Sequence, residues 1–316
     1  MWKRIRTISA LIIALCLILC LNVLPVNADS SQINVGALPT QRSGPPIGFN
    51  PVTASDAALK EYGFPARPSD PTALQEWDNV MQHAKTYVKP VLSQSTTSVS
   101  PNGSGTGNTQ AGYAVEENQK LGLSAFNSVY GQWVQTSQTA PISFVGYWVG
   151  LGGIDNGNLV QAGCASEIPS ATVRANNLLS NYAFFAEFYN GNVWPLLNPI
   201  WVVQPIVQPE DEIYVNVQNY GGYSEAFLMD ESSNQYTWVG FYTQGATCDS
   251  ADYMFEPQYY YFSYIAPTQF SDCWFNNDST GFGYFTNYPY VECDEYPYAS
   301  PGLASNASFM LYCPGH

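Results

Sequence analysis

Residues 101–316 contain two basic side chains, Lys120 and Arg174, and one histidine, His316, against nineteen Asp and Glu. A Ser-His-Asp or Cys-His site needs an imidazole base, and no histidine lies between residues 101 and 315. Catalysis in this segment therefore falls to carboxyl, amide, hydroxyl or thiol groups. Two regions concentrate candidates: Trp148-Val-Gly-Leu-Gly-Gly with Val160-Gln161-Ala-Gly, and Ala251-Asp252-Tyr-Met-Phe-Glu256. A carboxylate can take a proton from water. A neutral amide can donate to a developing oxyanion at any pH. Glu292-Cys-Asp-Glu295 groups oxygen donors but lacks the regular ligand spacing of a calcium loop. The duplicated D-[TS]-G motif of an aspartic peptidase is missing. No metal and no organic cofactor is expected.

These groups need a frame. From Ala111 onward, short apolar runs alternate with turn residues: Ile142–Leu151, Tyr182–Phe188, Glu212–Val217, Glu225–Met229, Thr237–Thr243 and Tyr253–Phe262. Asp155-Asn-Gly-Asn158 and Tyr220-Gly-Gly-Tyr223 are turn signals. Many short strands at this spacing predict an all-β, antiparallel two-sheet β-sandwich over residues 111–316. Residues 29–92 read differently, as a helical propeptide. Ser69-Asp70-Pro71 is a helix start, and Leu74, Trp77, Val80, Met81, Ala84, Tyr87 and Val88 follow at helical spacing. Thr53-Ala-Ser-Asp-Ala-Ala-Leu-Lys predicts a shorter helix before it. Residues 93–110, rich in Ser, Thr, Gly and Asn, read as a flexible linker.

Lys3, Arg4 and Arg6, the apolar stretch from Ile8 and Val26-Asn27-Ala28 read as a secretory signal over residues 1–28. Against it stand a membrane anchor and a lipoprotein box at Cys20. Secretion suits disulfides. Cys164, Cys248, Cys273, Cys293 and Cys313 leave room for one or two, with at least one thiol unpaired. Asn102-Gly-Ser, Asn277-Asp-Ser and Asn306-Ala-Ser are glycosylation sequons. Residues 29–100 hold five basic and six acidic side chains, so nearly all the negative charge sits in the β-rich part. Nucleic acid is excluded as a partner, because phosphate binding needs basic patches. Mutual repulsion among these acids raises their pKa values, so the domain is expected to be most stable and most active in acid.

Trp148-Val149-Gly150, Val160-Gln161-Ala162-Gly163 and Ala251-Asp252-Tyr253-Met254-Phe255-Glu256 together resemble the glutamic peptidase (eqolisin) family. That family has a W-V-G-I-D-G turn, a Q-T-G or Q-A-G segment and an A-E-[WF]-I-[VI]-E strand. Ala186-Glu187-Phe188-Tyr189 is similar to its Y-E-W-Y segment, Glu210-Asp211-Glu212-Ile213 to its G-D-x-I strand start, and Ala111-Gly112-Tyr113 to part of its N-W-A-G-Y opening. The region around Gly48-Phe49-Asn50-Pro51 and Tyr62-Gly-Phe-Pro65 is similar to the leader of bacterial members. The resemblance implies a jelly-roll sandwich and a catalytic pair, Gln161 and Glu256. It places Trp148, Glu187, Tyr189 and Asp252 along the substrate cleft. The sequence departs from the family at Thr109-Gln110, where the family has Asn-Trp, at Gly152, where the turn has aspartate, and at Asp252, where the strand has glutamate.

The resulting expectation is a secreted, monomeric, acid-acting endopeptidase for polypeptide substrates, with water as nucleophile. Residues 29–92 would cover the cleft and inhibit until acid releases them, and no membrane contact is expected once the signal is gone. A jelly-roll glycosidase using Glu187 and Glu256 is the alternative, and a non-catalytic binding sandwich is the third reading.

Overall fold

Apolar residues at every second position make strands with one face for a core and one face free. The computed structural model describes residues 42–94, 110–117, 122–137, 145–154, 157–166, 168, 170–190, 199–257, 265–279, 281–294 and 299–313. The expected signal at residues 1–28, the start of the leader and residues 95–109 of the expected linker lie outside them. Two sheets stack as a sandwich. Numbered along the chain, the eight-stranded sheet runs β15 (Val291–Cys293), β3 (Ala111–Glu116), β12 (Ser250–Pro257), β5 (Val145–Leu151), β6 (Asn158–Ser166), β7 (Ala183–Asn190), β8 (Ile200–Val202), β2 (Leu92–Gln94). The nine-stranded sheet runs β1 (Thr86–Tyr87), β11 (Gln235–Tyr242), β10 (Tyr223–Asp230), β9 (Glu212–Asn219), β4 (Phe126–Val134), β13 (Ile265–Asn277), β17 (Phe309–Cys313), β16 (Ser300–Pro301), with β14 (Gly281–Tyr284) beside β13. Among the described pairings only β1 with β11 is parallel. The expected antiparallel sandwich is the observed architecture.

The core lies between the sheets. Val145, Tyr147, Val149 and Leu151 of β5 face Val129 and Trp133 of β4 and Val215 and Val217 of β9 across it. The even residues of β5 therefore look out of the sandwich. The Tyr220-Gly-Gly-Tyr223 turn joins β9 to β10 as its composition predicts, with the Tyr220 N–H donating to the Tyr223 carbonyl at 2.8 Å.

The leader forms both expected helices. In α1 (Asp56–Glu61) the Ser55 side chain caps Ala58 N–H. In α2 (Pro71–Met81) Asp70 accepts from Thr72 and Ala73, and Pro71 fills the first turn. Capping oxygens satisfy N–H groups that the helix itself leaves free. One further short helix, α3 (Ser170–Ala175), lies within the β-rich part, where no helix was expected. Leu59, Phe64, Trp77, Val80 and Met81 pack on Tyr130, Tyr214, Phe227, Met229, Tyr236 and Trp274, the outer face of the nine-stranded sheet. Arg42 of the leader pairs with Glu225 and lies 5.4 Å over Trp238. Arg67 pairs with Asp56 inside the leader itself. The leader ends in two strands, β1 extending the nine-stranded sheet and β2 the eight-stranded one. Ser93 and Gln94, read as linker, are thus strand residues.

The disulfide expectation is corrected. Cys164, Cys248, Cys273 and Cys293 all carry free thiols, the first three buried. Burial pushes the Cys164 and Cys273 thiols well up and Cys248 up to about 12, so none is a thiolate at ordinary pH. They sit in the core by packing, as small apolar side chains, Cys164 on β6, Cys273 on β13 and Cys248 in the segment before β12. Reduction with dithiothreitol should accordingly leave the melting temperature unchanged. A drop of several degrees would reveal a stabilising bridge.

Candidate active site

Register assembles the site. On the outward face of the eight-stranded sheet, one row across four strands reads Asp252, Gly150, Gln161, Glu187. Two residues along, the row is Met254, Trp148, Gly163, Phe185, and two further it is Glu256, Gly146, Ala165, Ala183. The alternating partners, Ala251, Tyr253 and Phe255 on β12 and Val160, Ala162 and Cys164 on β6, enter the core. Both expected catalytic residues and three of the expected cleft residues, Trp148, Glu187 and Asp252, therefore share one face. Tyr189, two residues past Glu187, is on that face too and is half-buried.

The glycines in the motifs have a steric cause. A Cβ on Gly163 would stand 2.0 Å from the Tyr147 carbonyl oxygen and 2.7 Å from Trp148 Cβ. The Trp148 indole runs along its strand between the two carboxylate rows. A Cβ on Gly146 would lie 3.7 Å from its Cδ1, and one on Gly150 3.0 Å from its Cζ3. The indole thus spans from the Glu256 row to the Gln161 row.

Gln161, Glu187 and Glu256 are buried, at 3%, 3% and 7% exposure. Gln161 Nε2 donates to Glu187 Oε2 at 2.9 Å. Burial pushes Glu187 up to about 8, opposed by the Gln161 hydrogen bond and helped by the charge of Glu256. Burial pushes Glu256 up to about 7, with Trp148 and Gln110 holding it lower than burial alone would. The amide is therefore clamped to one acid, and that acid feels the field of the other. Repulsion was expected to be what raises acid pKa values here. Desolvation is the larger cause at both glutamates, and repulsion adds to it at Glu187 alone.

Two departures from the family pattern acquire an explanation. Gln110 stands beside Glu256 and favours its charged form, so an amide serves where an aromatic was expected. Gly152 has φ +81, and a Cβ there would lie 3.3 Å from Asp249 Oδ1 and 2.5 Å from the Asn158 carbonyl oxygen. An aspartate at residue 152 would be strained, and the carboxylate of Asp249 already occupies that neighbourhood. Sequence reasoning missed Gln110 and Asp249 as site neighbours, and it missed Ser250. Counting back by twos from Glu256 reaches Asp252 and Ser250, a signal that was there to use.

Among the described residues, no three of His, Cys, Asp and Glu are grouped to hold a metal ion. Glu295, the last acid of the Glu292-Cys-Asp-Glu295 stretch, lies outside them.

No protein-family model matches the sequence, and no curated protein matches it. Solved structures do. Scytalido-glutamic peptidase with a peptide-based transition state analog superposes with a TM-score of 0.50 at 13% identity, covering 66% of this chain and 99% of that one. A second structure of that enzyme with a transition state analog inhibitor gives 0.51, again at 13% identity with 66% and 99% covered. The fold is that of the glutamic peptidases. At this identity the likeness speaks for the fold alone.

Proposed function

We propose that this chain is a secreted glutamic-type endopeptidase in which Glu256 is the general base and acid and Gln161 the oxyanion donor. The observation that supports this reading is the buried outward face that Glu256, Trp148, Gln161 and Glu187 share. Glu256 takes a proton from water, and the water oxygen bonds to the peptide carbonyl carbon. One Nε2–H of Gln161 is held by Glu187, and its second N–H is free to donate to the oxygen that becomes negative. The tetrahedral adduct collapses as protonated Glu256 gives its proton to the leaving nitrogen. The carbon–nitrogen bond breaks, and the carboxylate is restored. Trp148 and Tyr189 line the approach.

This chemistry needs ionised Glu256, and that bears on the acid-acting expectation. A group held at about 7 is ionised in a growing fraction as pH rises toward 7. Activity in acid is then carried by the ionised minority, and kcat/KM should climb with an apparent pKa near 7. Above about pH 8 the loss of the Glu187 proton adds a second negative charge beside Gln161, and activity should fall. A pH–rate profile on a quenched-fluorescent peptide measures both limbs. A plateau from pH 3 to 5 would show that Glu256 is ionised well below 7 in the free enzyme and would overturn this pH dependence.

The mutual influence of Glu187 and Glu256 also suits a two-carboxylate glycosidase. That reaction has no use for an oxyanion-donating amide. Peptide release against reducing-sugar release, with Gln161→Ala in both assays, separates the two readings.

A further inference from the structure

The leader helices leave part of the outward face of the nine-stranded sheet open. There Ser128 and Tyr130 of β4, Gln218 of β9 and Asn276 of β13 line a cavity of about 520 Å³, and Ala66 of the leader forms part of its wall. That volume is in the range of small-ligand sites, which are mostly apolar. This one is mostly amide and hydroxyl. A relay of side-chain hydrogen bonds holds its polar groups in place. Tyr220 Oη donates to Gln218 Oε1 at 2.8 Å, Gln218 Nε2 to Asn216 Oδ1 at 2.7 Å, and Asn216 Nδ2 to Ser128 Oγ at 3.0 Å. An amide has two N–H donors and two acceptor lone pairs, so Gln218 keeps one of each beyond the relay. Asn276 accepts from the Asn277 N–H at 3.1 Å, which leaves its own NH2 group unused there. Asn127 Nδ2 donates to Asp278 Oδ1 at 2.6 Å, the one carboxylate in the lining. No lysine or arginine is among the described residues that line the cavity.

Tyrosines continue the face beyond the cavity. Tyr220 and Tyr242 are 47% and 59% exposed. Tyr223 and Tyr242 stand opposite each other on β10 and β11, with ring centroids 6.1 Å apart. A Cβ on Gly240 would stand 1.7 Å from Tyr223 Oη, so that ring lies along the sheet where the glycine gives it room. Glu225, whose charge reaches Tyr220 and Tyr223, is paired with Arg42.

We propose that this face binds a neutral oligosaccharide, its hydroxyls on the amides of the cavity and its ring faces on the tyrosines. The site is on the sheet opposite the candidate active site and does not depend on the Glu256 and Gln161 reading. An anionic ligand would find no cation in the lining and a carboxylate at Asp278. An extended peptide gains its affinity by adding to a free sheet edge, and β10, β9 and β4 are interior strands whose backbone is already paired on both sides. What the face offers is fixed donors and acceptors without net positive charge, beside exposed aromatic rings. Sugar hydroxyls both donate and accept, which matches amides that do the same. The C–H groups of a sugar ring carry partial positive charge and meet the negative face of an aromatic ring.

The test is isothermal titration of the full chain with cellotetraose, laminaritetraose, maltotetraose and chitotetraose, and with tetra-alanine as the peptide probe. At least one saccharide should bind at micromolar to millimolar concentration, and tetra-alanine should not. Tyr220→Ala removes an exposed ring and the first donor of the relay, so saccharide binding should weaken about tenfold or more. Asn276→Ala should weaken it about fivefold, the scale of one hydrogen bond. Both variants should keep the wild-type rate of peptide hydrolysis, and Tyr220→Ala should keep the wild-type melting temperature because its side chain is exposed. Three results would overturn the proposal: no saccharide bound at millimolar concentration, saccharide binding that neither substitution weakens, or binding of tetra-alanine in place of the sugars. Should Glu256→Gln remain active, the catalytic reading falls, and the titrations still decide this one.

Discussion

Glu256→Gln should abolish peptide hydrolysis and leave the fold intact. The carboxyl is 7% exposed and flanked by Trp148 and Gln110. A neutral amide of the same shape fits that place without burying a new charge. It takes away the only group in the proposed mechanism that accepts and returns a proton. Gln161→Ala should cost on the order of 10²-fold or more in kcat, the scale of losing one oxyanion donor. It would also leave Glu187 buried without the amide that now meets it, so the variant's melting temperature belongs in the same experiment. Pepstatin, serine-protease reagents and chelators should have no effect on the wild type. Full activity in either variant, with the fold verified by circular dichroism, would remove the Glu/Gln assignment.

Cutting the chain within residues 95–109 should leave the leader bound. Trp77 is completely buried, and Arg67 lies 5.1 Å over its ring. Truncating a core tryptophan costs about 3–5 kcal/mol, so Trp77→Ala should lower the melting temperature by many degrees even with the chain uncut. This differs from the expectation of a removable cover over the cleft. The helices of the leader pack on the nine-stranded sheet, and the candidate site is on the outward face of the other one, which the leader joins only through the edge strand β2. Acid should not loosen it either. Glu76 of α2, facing Asp70, Tyr284 and Asp272, has a raised pKa chiefly through burial. Burial first, then Glu76 and Glu212, push Asp272 up to about 7. Burial first, then Glu212, Asp272 and Asp230, push Glu231 up to about 8. Groups whose folded pKa is raised contribute stability that is complete below the unfolded pKa, about 4, and is lost as pH rises through the folded one. The Arg42–Glu225 pair works the other way, but burial raises Glu225 despite Arg42. Melting temperatures should thus decline between about pH 4 and 8. The nicked leader should co-elute with the sandwich at pH 5. Release at pH 5 accompanied by higher activity would restore the inhibitory role, and a melting temperature that climbs to pH 8 would show that ion pairs outweigh the buried acids.

The local signals were legible because their causes are local. Asp70 and Pro71 mark a helix start through a side-chain oxygen and a fixed φ, and α2 begins there. A short apolar run ending at Leu151 reads as a strand, and Val145–Leu151 forms one. Trp148, Gln161 and Glu256 were found as candidates because each sits in a short recognisable run, and the sheet register brings all three onto one face. The disulfide expectation failed because cysteine count and export say nothing about which strands put two sulfurs together.

What the chain by itself determined is the β-rich sandwich, the two leader helices, the acidic balance and the side chains available for chemistry. Period, capping and turn residues act over a few positions, so they can be read in order along the sequence. Tertiary structure alone decided that β12 lies beside β5, roughly a hundred residues earlier. That pairing sets Asp252 in the row of Gln161 and leaves Glu256 two rows away, bridged by the Trp148 indole. Tertiary structure also decided which sheet the leader covers, since aromatic residues face outward from both. Pairing and docking depend on contacts between distant segments, and desolvation depends on everything packed around a group. The raised pKa values of Glu187, Glu256 and Asp252 arise there, where no run of neighbouring residues records them.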